Sequence, residues 1–271
     1  MKQMLRLLKI EWNKIYNYKT ARIFIIIYFA LLASMGYLVT VIKPSIDNIS
    51  IDLARLGAYI FPYVWNNITY FADFASLFLG IIIITNITNE YSYRTIKQNL
   101  IDGLTKKEFL LSKLFVSLIF AVLSTIIVFF ACLGLGLAYT QNPVSIFNGA
   151  GFVLGYFLKL SVFFSLCTLL AFWIRRSGFA FILVILWRLG EIIISGIEQI
   201  NSNSNFHISN LLPGNASANL LPLPGLKLKN FLTGESVFSL NNFQYEYCIA
   251  AIVYIVIFTV LSYRLLKKRD L

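Results

Sequence analysis

Charge is scarce in this chain. Only 13% of its 271 residues are Asp, Glu, Lys or Arg, against about a quarter in an ordinary soluble domain. With 58% hydrophobic residues and a mean hydropathy of +0.75, that shortage excludes a soluble domain and fits an integral membrane protein. Catalytic side chains are scarce as well. His207 is the single histidine, and it lies in an Asn/Ser-rich stretch that reads as solvated loop. Cys132, Cys167 and Cys248 stand apart in apolar runs, without the paired spacing of a metal site or a disulfide framework. No GxxxxGK[ST] loop, HExxH, CxxC or nucleophile elbow occurs. The chain is therefore not expected to be an enzyme, and no metal or cofactor is expected on it.

What is present is long apolar helix. Six runs meet the roughly 20 residues that a bilayer core demands. They cover about 23–42, 67–88, 109–139, 147–174, 178–197 and 243–263. Residues 1–22 differ in kind. Leu5, Leu8, Trp12 and Ile15 recur at helical spacing while Lys2, Arg6, Lys9 and Lys14 take the other faces, the pattern of an amphipathic helix lying on a membrane surface. A cleaved signal peptide does not fit, because no small-residue cleavage site follows. Residues 198–242 are rich in Asn, Ser, Pro and Gly yet keep Leu211, Leu212, Leu220, Leu221, Leu223 and Leu226. This long loop is expected to hold short helices tucked against the outer surface. The expected fold class is an all-α polytopic membrane protein in a single transmembrane domain.

The basic residues alternate between the connections. Seventeen Lys and Arg fall in residues 1–22, 89–113, 175–176 and the C-terminus, while only Lys43, Arg55, Lys227 and Lys229 fall in the other loops. The positive-inside rule then places both termini and the 89–108 segment in the cytoplasm, with the chain multi-pass in the cell membrane. The formal charge of +11 is thus a topology signal with an attraction to anionic membrane lipid. It leaves no soluble basic face for nucleic acid.

The segment NEYSYRTIKQNLIDGLTKKEFLLSK, residues 89–113, interrupts the apolar chain. Tyr93 to Ile101 has the length of about two helical turns, with Ile96, Leu100 and Leu104 on one stripe. Asp102-Gly103 is a helix stop. Thr105-Lys106-Lys107-Glu108 is a capping box that starts the third span. A short amphipathic helix with a basic rim fits the groove of a cytosolic partner; as a bare positive-inside loop it would merely join two spans.

This arrangement resembles the permease subunits of ATP-binding-cassette transporters, in the class of drug, bacteriocin and polysaccharide exporters. The likeness rests on Glu90 closing the second span, then Tyr93-Arg94-Thr95-Ile96-Lys97, then Leu104-Thr105-Lys106-Lys107, then Lys113 entering the third. The layout agrees over the whole chain, the motif over about 25 residues. Many members have a proline where Ile101 to Gly103 fall; this chain has Asp102-Gly103. The resemblance implies that Glu90, Tyr93, Arg94, Thr95, Ile96, Lys97, Leu100, Asp102, Gly103, Leu104, Thr105, Lys106 and Lys107 form a coupling helix docked on a separate cytosolic ATPase subunit. ATP and Mg would sit on that partner. The N-terminal helix would also touch the ATPase. A second permease copy or paralogue would complete a dimer, with the second and fifth spans facing the translocation path.

Four ionisable residues remain inside the spans: Asp73, Lys159, Arg188 and Glu191. Such groups pair with one another or line polar paths. At about 1.5 Å per residue from the cytoplasmic span ends, Asp73 and Lys159 lie about 22 Å up, Arg188 about 16 Å and Glu191 about 21 Å. Two acids and two bases in one layer can neutralise each other, and Arg188 and Glu191 are placed to pair on one helix. The layer reads either as a structural cluster or as the lining of a substrate path. A membrane scaffold recruiting a cytosolic partner, and an ion-coupled carrier using these charges, are the rival functions; the lack of an internal repeat weighs against the carrier.

Overall fold

Our computed structural model describes residues 2–41, 45–46, 49–50, 57–101, 103–141, 146–201, 208–226, 238–239 and 242–268. The described chain is almost entirely helical. α1 (Lys2–Asn17) meets α2 (Lys19–Val41) at an angle of 91°. The break falls at Tyr18, where the apolar stripe of α1 gives way to a segment that is apolar all round, so the two helices cannot share one environment. Within α1 the inward stripe runs through Leu8, Glu11 and Ile15, while Trp12 and Tyr16 are more than half exposed. The expected stripe through Trp12 is therefore corrected by one position, and it carries an acid. The side chain of Leu5 lies outside the described residues.

α3 (Tyr63–Phe74) and α4 (Ser76–Ser92) form a pair bent by 42° at Ala75. No proline or glycine sits at the bend. Instead the Ala75 N–H reaches the carbonyl of Ala72, and Phe78 N–H that of Ala75, so the helix tightens locally to three-residue bonding. Together they start four residues before, and end four after, the expected 67–88. α5 (Thr95–Ile101) follows, then α6 (Lys106–Tyr139). At 34 residues α6 is about 51 Å long, more than the ~30 Å of a hydrocarbon core. α7 (Gly151–Ile174), α8 (Ser177–Asn201), α9 (Pro213–Ala218) and α10 (Glu246–Lys268) complete the helices described.

α7 is the central post, packed by α3, α4, α6, α8, α9 and α10. Its burial is nearly all-round, with Phe152, Tyr156, Leu160, Phe164 and Phe172 enclosed. Close approach needs small residues. A Cβ on Gly155 would stand 2.8 Å from the Phe243 ring and 2.9 Å from the Leu220 carbonyl oxygen, so glycine lets the chain between α9 and α10 lie against α7. α9 is tucked into the bundle against α7, α8 and α10, with Ala216, Leu220 and Leu221 buried. Leu211 and Leu223 remain exposed. Two-residue strands pair antiparallel at Ser45–Ile46 with Ile49–Ser50, and at Gly225–Leu226 with Phe238–Ser239.

α6, α7, α8 and α10 are each long and apolar enough to cross a membrane, and up to six spans result if each bent pair counts as one. Exposed Ile and Leu on α8 and α10 give those helices a hydrocarbon-like exterior. His207, Lys43, Arg55, Lys227 and Lys229 lie outside the described residues.

Candidate functional site

Two polar sites stand at opposite ends of α4. The first is the turn between α4 and α6. Arg94 takes a left-handed conformation with φ 55, which reverses the chain after α4, and Gly103 does so after α5 with φ 93. Only open space surrounds the Gly103 α-carbon on the side a Cβ would take, so conformation, not room, calls for glycine there. The N–H groups of Gly103 and Leu104 close α5 onto the carbonyls of Leu100 and Asn99. Thr105 Oγ1 accepts from the Glu108 N–H at 3.2 Å, and the Thr105 N–H donates to Glu108 Oε2 at 3.0 Å. The capping box is formed, and these bonds hold the exposed Glu108 carboxyl below its ordinary range.

Ile96 is only 2% exposed, and Leu100 and Leu104 pack partly buried against the core. The apolar stripe expected to enter a partner's groove is therefore turned into the chain's own body. The outward face consists of Tyr93 at 71% and Ile101 at 79% exposure, with Arg94, Thr95, Lys97 and Lys107 beside them. Lys106 is half-buried and donates to the Lys267 carbonyl at 3.4 Å. Asp102 lies outside the described residues.

Behind α5 four charges meet, three of them buried and Lys14 half-buried. Lys113, with its side chain 1% exposed, lies between Glu11 and Glu90. Its Nζ donates to Glu11 Oε2 at 2.6 Å and to Glu90 Oε1. Lys14 Nζ bridges the same two acids at 3.3 and 3.0 Å. Asn86 donates to Glu11 at 3.3 Å, and Asn99 of α5 donates to Glu90 Oε2 at 3.2 Å. Two acids and two bases leave no net charge, and the knot ties α1, α4, α5 and α6 together. Burial would raise the Glu11 carboxyl, but the Lys113 and Lys14 ammonium groups hold it below its ordinary range. Burial would likewise lower Lys14, but Glu11 and Glu90 hold it above. Glu90 thus organises the segment from within. Glu11 escapes sequence reading, although one signal existed: it is the only acid before Asp47. Nearby, Arg175 ends α7 in a left-handed turn with its guanidinium 5.0 Å from the centre of the Tyr91 ring.

The second site lies beside the bend of α3 and α4. Asp73 Oδ2 meets Lys159 Nζ at 2.8 Å, and Arg188 Nη1 meets Glu191 Oε2 at 3.1 Å. The four ionisable residues expected inside the spans thus pair two by two. All four line one cavity of about 670 Å³ between α3–α4, α7, α8 and α9. Glu191 is buried and also accepts from Trp187 Nε1 at 2.7 Å and from the Gly214 N–H at 3.0 Å. Gly214 and Asn215, whose Oδ1 accepts from Arg188 Nη1 at 3.0 Å, come from the stretch expected to hold short helices but no site residue. Among the described residues no three His, Cys, Asp or Glu side chains gather as a metal set.

The chain belongs to the family described as "Protein of unknown function (DUF2705)", which matches residues 30–271. No curated protein matches it.

Proposed function

We propose that this member of a family of unknown function is the permease subunit of an ATP-binding-cassette exporter. In this reading it crosses the cell membrane six times, through α2, the bent pair α3–α4, α6, α7, α8 and α10, with α1 lying on the membrane surface and both termini and α5 in the cytoplasm. A separate ATPase holds ATP and Mg, and a second permease copy or paralogue completes the path. The observation that carries the reading is the mounting of α5. A seven-residue helix joins two long helices, presents Lys97 and Ile101 outward beside the exposed Tyr93 and Arg94 of the preceding turn, and is keyed from behind to a knot of three buried charges and the half-buried Lys14. Such a mounting suits an element that receives force: a push on α5 passes through Asn99 to Glu90 and Lys113, hence to α4, α6 and α1 together. A loose connecting loop has no need of it. The cleft of about 310 Å³ between Lys14, Asn86, Glu90 and Tyr93 adds concave surface beside α5. The distribution of basic residues favours the cytoplasmic placement of this end.

The test is co-purification with a phosphate-loop ATPase, using Lys97→Glu combined with Ile101→Ala. Both positions are exposed, so the variant keeps its fold. The expected result is a loss of complex of about tenfold or more, from an anchor worth roughly 1.4 kcal/mol or above. Unchanged complex and unchanged substrate-stimulated ATP hydrolysis, at an unchanged melting temperature, overturn the coupling role.

A further inference from the structure

Both signs of charge against an apolar wall give the 670 Å³ cavity a chemistry independent of what drives the chain. Its volume falls within the ~300–1,000 Å³ of small-molecule sites. The polar groups divide by what they have left to offer. Glu191 is saturated by Trp187, Arg188 and Gly214 and is buried. Arg188 makes both its bonds, to Glu191 and Asn215, through Nη1, while its side chain stays 43% exposed. Asn215 is itself fixed by donating to Ser195 Oγ at 2.7 Å and to the Ser209 carbonyl at 3.0 Å. The guanidinium is therefore held from one side and open on the other. Lys159 and Asp73 share one contact and are each partly exposed. An ammonium has three donors and a carboxylate two oxygens, so each keeps capacity facing the cavity.

The remaining offer is two cationic donors and one anionic acceptor on the wall of one cavity. The wall beside them is hydrocarbon. Phe74, Leu77, Ile185 and Leu189 line the cavity and are exposed. The cavity thus runs out sideways, between α4 and α8, onto an apolar exterior. A ligand matching this shape has a compact zwitterionic head and a long apolar tail that leaves laterally.

We propose that the cavity binds a phospholipid whose headgroup carries a primary ammonium. The phosphodiester lies on Arg188 and Lys159, the ammonium donates to Asp73, and the acyl chains pass out along Phe74 and Leu77. Charge-assisted bonds to guanidinium and carboxylate set the selectivity. A choline headgroup has no N–H to donate to Asp73, and a glycerol headgroup brings a net negative charge without a cation to offset the carboxylate.

The experiment takes the full chain in detergent and titrates it, by native mass spectrometry, with phosphatidylethanolamine, phosphatidylcholine and phosphatidylglycerol of identical acyl chains. Phosphatidylethanolamine is expected to bind about tenfold tighter than phosphatidylglycerol, the size of one charge-assisted hydrogen bond, with phosphatidylcholine between them. Asp73→Asn removes that preference and leaves phosphatidylglycerol binding intact or stronger, whereas Arg188→Gln weakens all three. Should Asp73→Asn not fold, Leu77→Trp decides: it stands at the exposed mouth, leaves the charges alone, and blocks all three lipids. Equal binding of the three lipids by the unaltered chain overturns the proposal. So does a preference for phosphatidylglycerol, a preference surviving Asp73→Asn in a folded chain, or indifference to Leu77→Trp. None of these readings involves an ATPase, so loss of the coupling role leaves the lipid site standing, and the reverse.

Discussion

Lys113 shows how one side chain can hold three helices. Its ammonium is enclosed between Glu11 of α1 and Glu90 of α4, with Lys14 completing the balance. Removing one member of a buried ionic set leaves charge without compensation, at a cost of about 3–5 kcal/mol. Lys113→Met is therefore expected to lower the melting temperature sharply in detergent, and adding Glu11→Gln to recover part of the loss; a purely steric role for Lys113 predicts no recovery. The same knot sets a pH window. The Glu11 carboxyl is held below its ordinary 4.5, so its contribution is complete above that value and fades as pH falls through the lowered one. The Lys14 ammonium is held above its ordinary 10.5, so its contribution is complete below that value and fades as pH climbs through the raised one. The knot's contribution to thermal stability should hold between those limits and fall outside both, and Glu11→Gln should blunt the acid side and, by removing one of Lys14's two partners, weaken the alkaline side as well.

At the scale of elements, helix ends and close crossings carry the specificity. The capping box Thr105–Glu108 was legible in the sequence because it is a local pattern of side chain and backbone within four residues. The break after Ile101 was legible for the same reason, with glycine supplying the left-handed turn. The orientation of α5 was not. Ile96 and Leu100 make an apolar stripe, and periodicity alone leaves open whether such a stripe meets a partner or the chain's own α4. Packing decided for the chain. The bend at Ala75 was equally hidden, since it arises from tightened bonding and not from a breaking residue. The crossing of α7 with the chain entering α10 makes a sharp test. Gly155→Ala puts a methyl against the Leu220 carbonyl oxygen and the Phe243 ring, and is expected to destabilise by about 1–3 kcal/mol. Gly190→Ala, with open space around it, should be neutral or slightly stabilising as judged by melting temperature.

For the whole molecule, the two polar sites sit at the two ends of the 17-residue α4, about 25 Å apart along its axis. If the proposed topology holds, they face opposite compartments. Leu223→Cys, exposed beside the cavity, should react with a membrane-impermeant maleimide in intact cells. Ile101→Cys, exposed on α5, should react only after the cells are opened. Labelling of both from outside, or of neither, would rule out the six-span arrangement.

The sequence by itself determined the material and the local punctuation. Apolar length selects spanning helices because unpaired backbone groups are so costly in hydrocarbon, and caps and left-handed glycines mark helix ends through contacts only a few residues apart. That the four charges could meet was also readable, since helical rise along the expected spans gives them similar depth, and they line one cavity. Only the tertiary structure decided the partners. It set Asp73 on Lys159 in place of any other base, put Glu11 rather than a solvated face behind α5, and brought Gly214 and Asn215 under the headgroup of Arg188. Those choices depend on how helices far apart in sequence turn their faces towards one another. A single helix's periodicity holds its own phase but not the neighbour it will meet.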